Sequence, residues 1–92
     1  MNTKATVIST ATTTVCHSQK GKLVGVVVTG GTAGTIIGYD NASAASGDKV
    51  FDFDSTNALK DYNFYGANFK NGLTVITGAA TKLTVLTATQ GN

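Results

Sequence analysis

The 92-residue sequence contains no proline, glutamate, arginine or tryptophan, and it holds one cysteine and one histidine. Each absence narrows what the chain can be. A lone Cys16 forms no internal disulfide, and a single histidine leaves no Cys/His cluster for a structural zinc ion. Without arginine, the bidentate reading of bases and phosphates is missing. The lysines (Lys4, Lys20, Lys22, Lys49, Lys60, Lys70, Lys82) are dispersed, mostly near expected turns, so nucleic acid is not an expected partner. The longest apolar run, Leu23 to Val28, is interrupted by Gly25 and is far too short to cross a membrane as a helix. Met1-Asn2-Thr3-Lys4-Ala5-Thr6 lacks the apolar stretch of a signal peptide, so no membrane partner is expected.

Charge is scarce as well. Charged residues make up 13% of the chain, against ~25% in ordinary domains. A chain of this length buries roughly 60–65% of its unfolded surface, a small core for independent stability. With disulfide and metal unavailable, self-association is the remaining way to extend that core. Low charge, with threonine and alanine in its place, suits a surface covered by other subunits.

What is present is sixteen threonines and eleven glycines. Threonine and valine fit a pleated, half-buried surface, and glycine punctuates it. Eight strands are expected: two within Lys4 to Ser18 with a break at Thr10-Ala11-Thr12, then Lys22 to Thr29, Ala33 to Tyr39, Val50 to Asp54, Tyr62 to Phe69, Leu73 to Thr77, and Lys82 to Ala88. Spacing of about ten residues with turn signals between reads as a sandwich or barrel. The fold class is therefore all-β, a single antiparallel sandwich domain over residues 1–92. The first 18 residues read either as first strands or as an extended arm.

The strands declare their faces. Val50-Phe51-Asp52-Phe53-Asp54 alternates, with both phenylalanines on one side. The expected interior is Phe51, Phe53, Leu73, Val75, Leu83 and Val85, with truncation of Phe53 costing roughly 3–5 kcal/mol. Leu23 to Val28 is apolar on both faces, so its outer face needs a cover. Lys70-Asn71-Gly72-Leu73 carries the Asn-Gly signal of a type I′ hairpin. Gly30-Gly31 and Gly78-Ala79-Ala80 read as turns between neighbouring strands. The segment Asp40 to Asp48 reads as an inter-sheet connection or an exposed contact loop.

Candidate chemistry is thin. Cys16 and His17 are adjacent on a strand, so their side chains point apart and do not form a nucleophile–base pair. The expected arrangement is a buried thiol beside an exposed imidazole. Gly30-Gly31-Thr32-Ala33-Gly34 is followed by a strand instead of the helix that a phosphate loop requires, and reads as a hairpin turn. Asp40, Asp48, Asn41 and Ser43 could offer oxygen ligands to calcium, but their spacing is not that of an EF-hand loop. Asp52 and Asp54 share a solvated strand face with no sign of the cleft a carboxylate pair would need. No catalytic residue, metal site or cofactor is expected, and the chain is not read as an enzyme. Among the aromatics, Tyr62 and Phe64 share one face while Tyr65 and Phe69 share the other. One pair serves the core and the other serves a subunit contact or, as the lesser alternative, a sugar platform.

The order of these pieces carries a resemblance. Leu23-Val24-Gly25-Val26-Val27-Val28 is followed by a strand ending in Tyr39-Asp40-Asn41-Ala42-Ser43-Ala44-Ala45-Ser46-Gly47, then Val50-Phe51-Asp52-Phe53. Phe64-Tyr65-Gly66-Ala67-Asn68-Phe69, Asn71-Gly72-Leu73-Thr74-Val75 and Lys82-Leu83-Thr84-Val85-Leu86 complete the set. From Leu23 to Leu86 this resembles small β-sandwich virion structural proteins of tailed bacteriophages, of the capsid decoration (cement) kind. The resemblance implies a jelly-roll-like sandwich in the virion, made in the host cytoplasm, and carries no catalytic residue across. It implies as partners the chain itself, as a homotrimer, and the major capsid protein or another virion protein. The expected interface residues are Val24, Val26, Val28, Tyr65 and Phe69. A neck or tail component, or a carbohydrate-binding module for host recognition, is the alternative.

Overall fold

The computed structural model describes residues 3–55 and 60–89, so the ends of the 1–92 domain lie outside the described residues. Eight strands follow one another: β1 (Thr3–Ile8), β2 (Thr13–His17), β3 (Gly21–Gly31), β4 (Gly34–Tyr39), β5 (Lys49–Ser55), β6 (Lys60–Phe69), β7 (Leu73–Thr77) and β8 (Thr81–Thr89). Residues 3–17 are thus the first two strands, not an extended arm. Two antiparallel four-stranded sheets result, ordered β1-β8-β3-β6 and β2-β7-β4-β5.

The pairing has a simple logic. β1 pairs β8, β2 pairs β7, β3 pairs β6 and β4 pairs β5. The chain is one long hairpin folded back at the β4–β5 loop and wound so that β3 also meets β8 and β4 also meets β7. This is the jelly-roll arrangement. It overturns the expected turn assignments. Among consecutive strands, β4 and β5 alone share a sheet, so the 40–48 segment is the intra-sheet hairpin loop. Asn71-Gly72 is not a type I′ hairpin, because β6 and β7 belong to different sheets and Asn71 lacks the positive φ that turn requires. Residues 30–34 and 78–80 likewise cross between sheets. Local turn chemistry reports a reversal of direction, not which sheet the next strand joins.

The corners are pinned by side chains. The Asp40 carboxylate accepts the amide N–H groups of Lys70 (2.9 Å) and Asn71 (2.7 Å), which clamps the 40–48 loop to the β6–β7 corner. Gly72 lies so close that an added Cβ would sit 2.6 Å from the His17 carbonyl oxygen and 2.7 Å from Ala42 Cα. Three buried threonines donate to loop carbonyls: Thr74 to Asn41 at 2.8 Å, Thr77 to Thr10 at 2.6 Å, and Thr81 to Thr32.

The core lies between the sheets. Leu73, Val75, Leu83 and Val85 are fully buried as expected, joined by Leu23, Val26, Val28, Ile36 and Phe69. Phe51 is buried over Gly38, its cross-strand partner, where a side chain would collide with the ring. Phe53 is only half-buried: it stacks on Tyr62 at 4.2 Å, closing the flank where β5 and β6 face each other. The expected cost of its truncation is therefore too high. Thr87 also faces inward, and its hydroxyl has no hydrogen-bond partner among the described residues, a cost of about 1–3 kcal/mol.

Two measurements check this account. Leu83→Ala is expected to lose about 2–5 kcal/mol in urea unfolding, clearly more than Phe53→Ala; equal losses would place the β5–β6 flank in the core. The Asp40 clamp should be pH-dependent. Its partial burial would raise the carboxyl's pKa, but the amides of Lys70, Asn71 and Gly72, with the Lys70 charge, outweigh burial and hold it below 3.8. A depressed carboxylate stabilises the fold above its unfolded value and loses that effect as pH falls through the folded one. Asp40→Asn is thus expected to lose about 1–2 kcal/mol at neutral pH, with the gap to the wild type closing as pH falls below 3.8. A gap independent of pH would remove the charge from the explanation.

Candidate interaction surface

The described residues form no cleft or cavity and group no three His, Cys, Asp or Glu side chains that could hold a metal ion. The candidate chemical residues are occupied by structure. Cys16 is buried inside the sandwich, and burial pushes its thiol up to about 11 despite the opposing Lys4 ammonium and Thr6 hydroxyl. A thiol held there is not a thiolate nucleophile at neutral pH. His17 is half-buried, not exposed as expected: its Nδ1 lies 2.9 Å from the Gln19 carbonyl and its ring meets the Phe69 edge at a centroid distance of 5.3 Å. Asn41 Oδ1 accepts from the amides of Ser43 and Ala44 at 2.9 and 3.0 Å, ordering its own loop. With Asp40 on the corner amides, both oxygen donors that would lead a calcium site are engaged by backbone. Asp54 accepts from the Thr35 hydroxyl at 2.9 Å and Asp52 from Lys49 at 2.9 Å, on the open outer face of β5.

The outer surface carries apolar side chains on both sheets. On the β1-β8-β3-β6 sheet, the register aligns Val7, Thr84, Val27 and Asp61 across the four strands, and Ala5, Leu86, Gly25 and Asn63 beside them. Val7 is 74% exposed, and Val24, Val27 and Leu86 are half-buried. On the other sheet, Thr13, Ile76, Ile37 and Asp52 align, with the 42%-exposed Val15 opposite Thr74, whose hydroxyl bonds to Asn41 of the 40–48 loop.

Of the expected interface residues, Val26, Val28 and Phe69 are buried within the chain itself and are not available to a partner. Paired bulges are the reason. Leu23 faces Ala67 and Gly25 faces Asn63, so Phe64, Tyr65 and Gly66 stand opposite Val24 alone. The extra residues reset the alternation of β6 and carry Phe69 to the same inner side as Tyr62 and Phe64. Val24 stays half-buried at the bulge, and Tyr65 is thrown outward, 88% exposed. Tyr65 also has φ of 55°, held by its amide's 2.8 Å bond to Asn63 Oδ1. A left-handed backbone costs a non-glycine residue about 1–2 kcal/mol. Val7, Val27 and Leu86 were not singled out from sequence. Their signal is the adjacent apolar pair: in Val7-Ile8 one side chain must face outward, since neighbours on a strand point to opposite sides.

Comparison with protein-family models, curated proteins and solved structures finds no match to the chain.

Tyr65 offers a clean separation of stability from binding. Tyr65→Gly removes no core contact and relieves the left-handed strain, so thermal stability should be unchanged or higher, in contrast to a loss of about 3–5 kcal/mol for Phe69→Ala. A marked drop in melting temperature for Tyr65→Gly would mean that the ring supports the fold.

Proposed function

We propose that the chain is a structural protein of a tailed-bacteriophage virion, a capsid decoration (cement) protein that stabilises the head by bridging subunits. The observation that carries this reading is the exposed Val7 on the outer face of the β1-β8-β3-β6 sheet, in line with the half-buried Val27 and beside the half-buried Leu86, on a sandwich whose described residues offer no cleft. Apolar side chains grouped at a surface, as opposed to scattered singly, mark a contact site. Interface cores are depleted in charge, which matches a chain with only 13% charged residues. The Leu23 to Leu86 resemblance adds the virion context, and the jelly roll is a fold used by viral capsid domains, an analogy of fold only. In this reading the chain is made in the host cytoplasm and its partners are further copies of itself and the major capsid protein.

A second reading draws on Tyr65. Its exposed ring, with the exposed Asn63 and Asn68 on the same strand, has the elements of a sugar-stacking surface, the carbohydrate-binding alternative. Two experiments separate the readings. Quantitative mass spectrometry of purified particles is expected to find on the order of hundreds of copies per virion, as capsid symmetry requires, against a dozen or fewer for a neck or tail part. Val27→Asp should abolish particle binding while leaving the fold intact. Absence from particles together with saturable glycan binding, lost in Tyr65→Gly, would replace the cement reading.

A further inference from the structure

Two four-stranded sheets present four edge strands: β1 and β6 on one, β2 and β5 on the other. An open edge is a row of unpaired backbone N–H and C=O groups, and bulges are a common way of making it unfit for a further strand. Three of the four edges carry one. The register of β2 breaks between Val15 and His17. On β5 the partners of Gly38 and Tyr39 are Phe51 and Lys49, leaving Val50 over. On β6 three residues, Phe64 to Gly66, stand opposite Val24. β1 alone runs unbroken, in continuous register with β8 from Thr3↔Ala88 to Ile8↔Leu83.

The side chains of β1 are equally permissive. It has no proline and no acidic residue, and its outward positions include Ala5 and the 74%-exposed Val7. Its one charge, Lys4, is turned across the sandwich, the ammonium donating to the Cys16 carbonyl of β2 at 3.3 Å. That places the charge on the chain's own second sheet, where it closes the β1–β2 flank.

We infer that β1 is a strand-addition edge, and that its occupant is the β1 of a second copy, paired antiparallel about a two-fold axis. Whatever pairs with β1 must bring an unbroken free strand of its own, and among the described strands of this chain β1 is the one that qualifies. Pairing like with like consumes both free edges. The remaining edges are bulged, so association through strands stops at two copies and does not run into a fibre. Side-chain facing selects the register. An axis at Ala5 sets its methyl against itself, Val7 beside the partner strand's threonine, and Lys4 beside a hydroxyl. An axis at Thr6 would instead press Lys4 against an isoleucine. The product is a continuous eight-stranded sheet with the exposed valines on one side of it. This inference stands without the virion assignment, and it replaces the trimer built on β3 and β6 with a two-fold dimer.

The test is a cross-linking comparison with sedimentation. Ala5→Cys brings two thiols to the axis at a cross-strand Cβ spacing of about 4.5–5.5 Å, and should oxidise to a covalent dimer at least tenfold faster than Asn68→Cys on the outer face of β6. The wild type should show a monomer–dimer equilibrium, and Val7→Lys, which sets a charge beside the new pairing, should raise the dissociation constant at least tenfold without lowering the melting temperature extrapolated to low concentration. A wild type that stays monomeric at all concentrations, equal oxidation of the two cysteine variants, or a dimer indifferent to Val7→Lys each overturns the pairing. If particle binding persists in a monomeric protein, the strand pairing fails while the virion reading survives.

Discussion

The jelly roll forces most of the connections between successive strands to leave one sheet and enter the other, and at each crossing the backbone groups released from the ladders need partners. Everything else in the molecule rests on how that demand is met. Buried backbone groups left unpaired are costly, and here threonine hydroxyls and one aspartate supply what the ladders cannot. Thr77 and Thr81 tie down the corners at one end, while Thr74 and Asp40 tie the 40–48 loop and the β6–β7 corner at the other. Threonine content that reads as simple β-propensity is in part corner chemistry.

With the corners fixed, the two flanks of the sandwich close by different means. On the β5–β6 side an aromatic row runs from Phe64 through Phe51 and Phe53 to Tyr62, with the Lys60 ammonium 5.5 Å from the last ring centroid. Phe51 in this row belongs to the buried core, while Phe53, Tyr62 and Phe64 are partly exposed and pack against it. On the β1–β2 side the closure is slight: one lysine reaching a carbonyl over a buried thiol.

Asp40 and Asn41 are committed to backbone amides, Asp52 and Asp54 to neighbouring side chains, and Cys16 is buried in the core with its thiol kept protonated. Among the described residues, Val7, Val15 and the strained, outward Tyr65 are the large apolar side chains that the folded chain leaves exposed. Strain persists only where surrounding structure over-determines it, and the Asn63 side chain with the paired bulges provides that here.

The number, order and approximate limits of the strands were legible because period-2 alternation and glycine punctuation are local signals, read within a few residues. Leu73, Val75, Leu83 and Val85 could be placed inside for the same reason, since each pair alternates on an uninterrupted strand. Tyr65 and Phe69 show where that reasoning ends. Counting by twos puts them on one face, whereas a three-residue bulge opposite Val24 sends one outward and the other into the core. Nothing local distinguishes a strand that continues from one that is reset, because a bulge is a mismatch between two strands distant in sequence. The Asn71-Gly72 turn fails in the same way: its residues specify a reversal, while the sheet that receives β7 is chosen by β2 and β4. Composition determined that this would be a small β-domain with little charge and sparse chemistry. Tertiary pairing alone decided which sheet each strand joined, which valines were core and which edge was left unbroken.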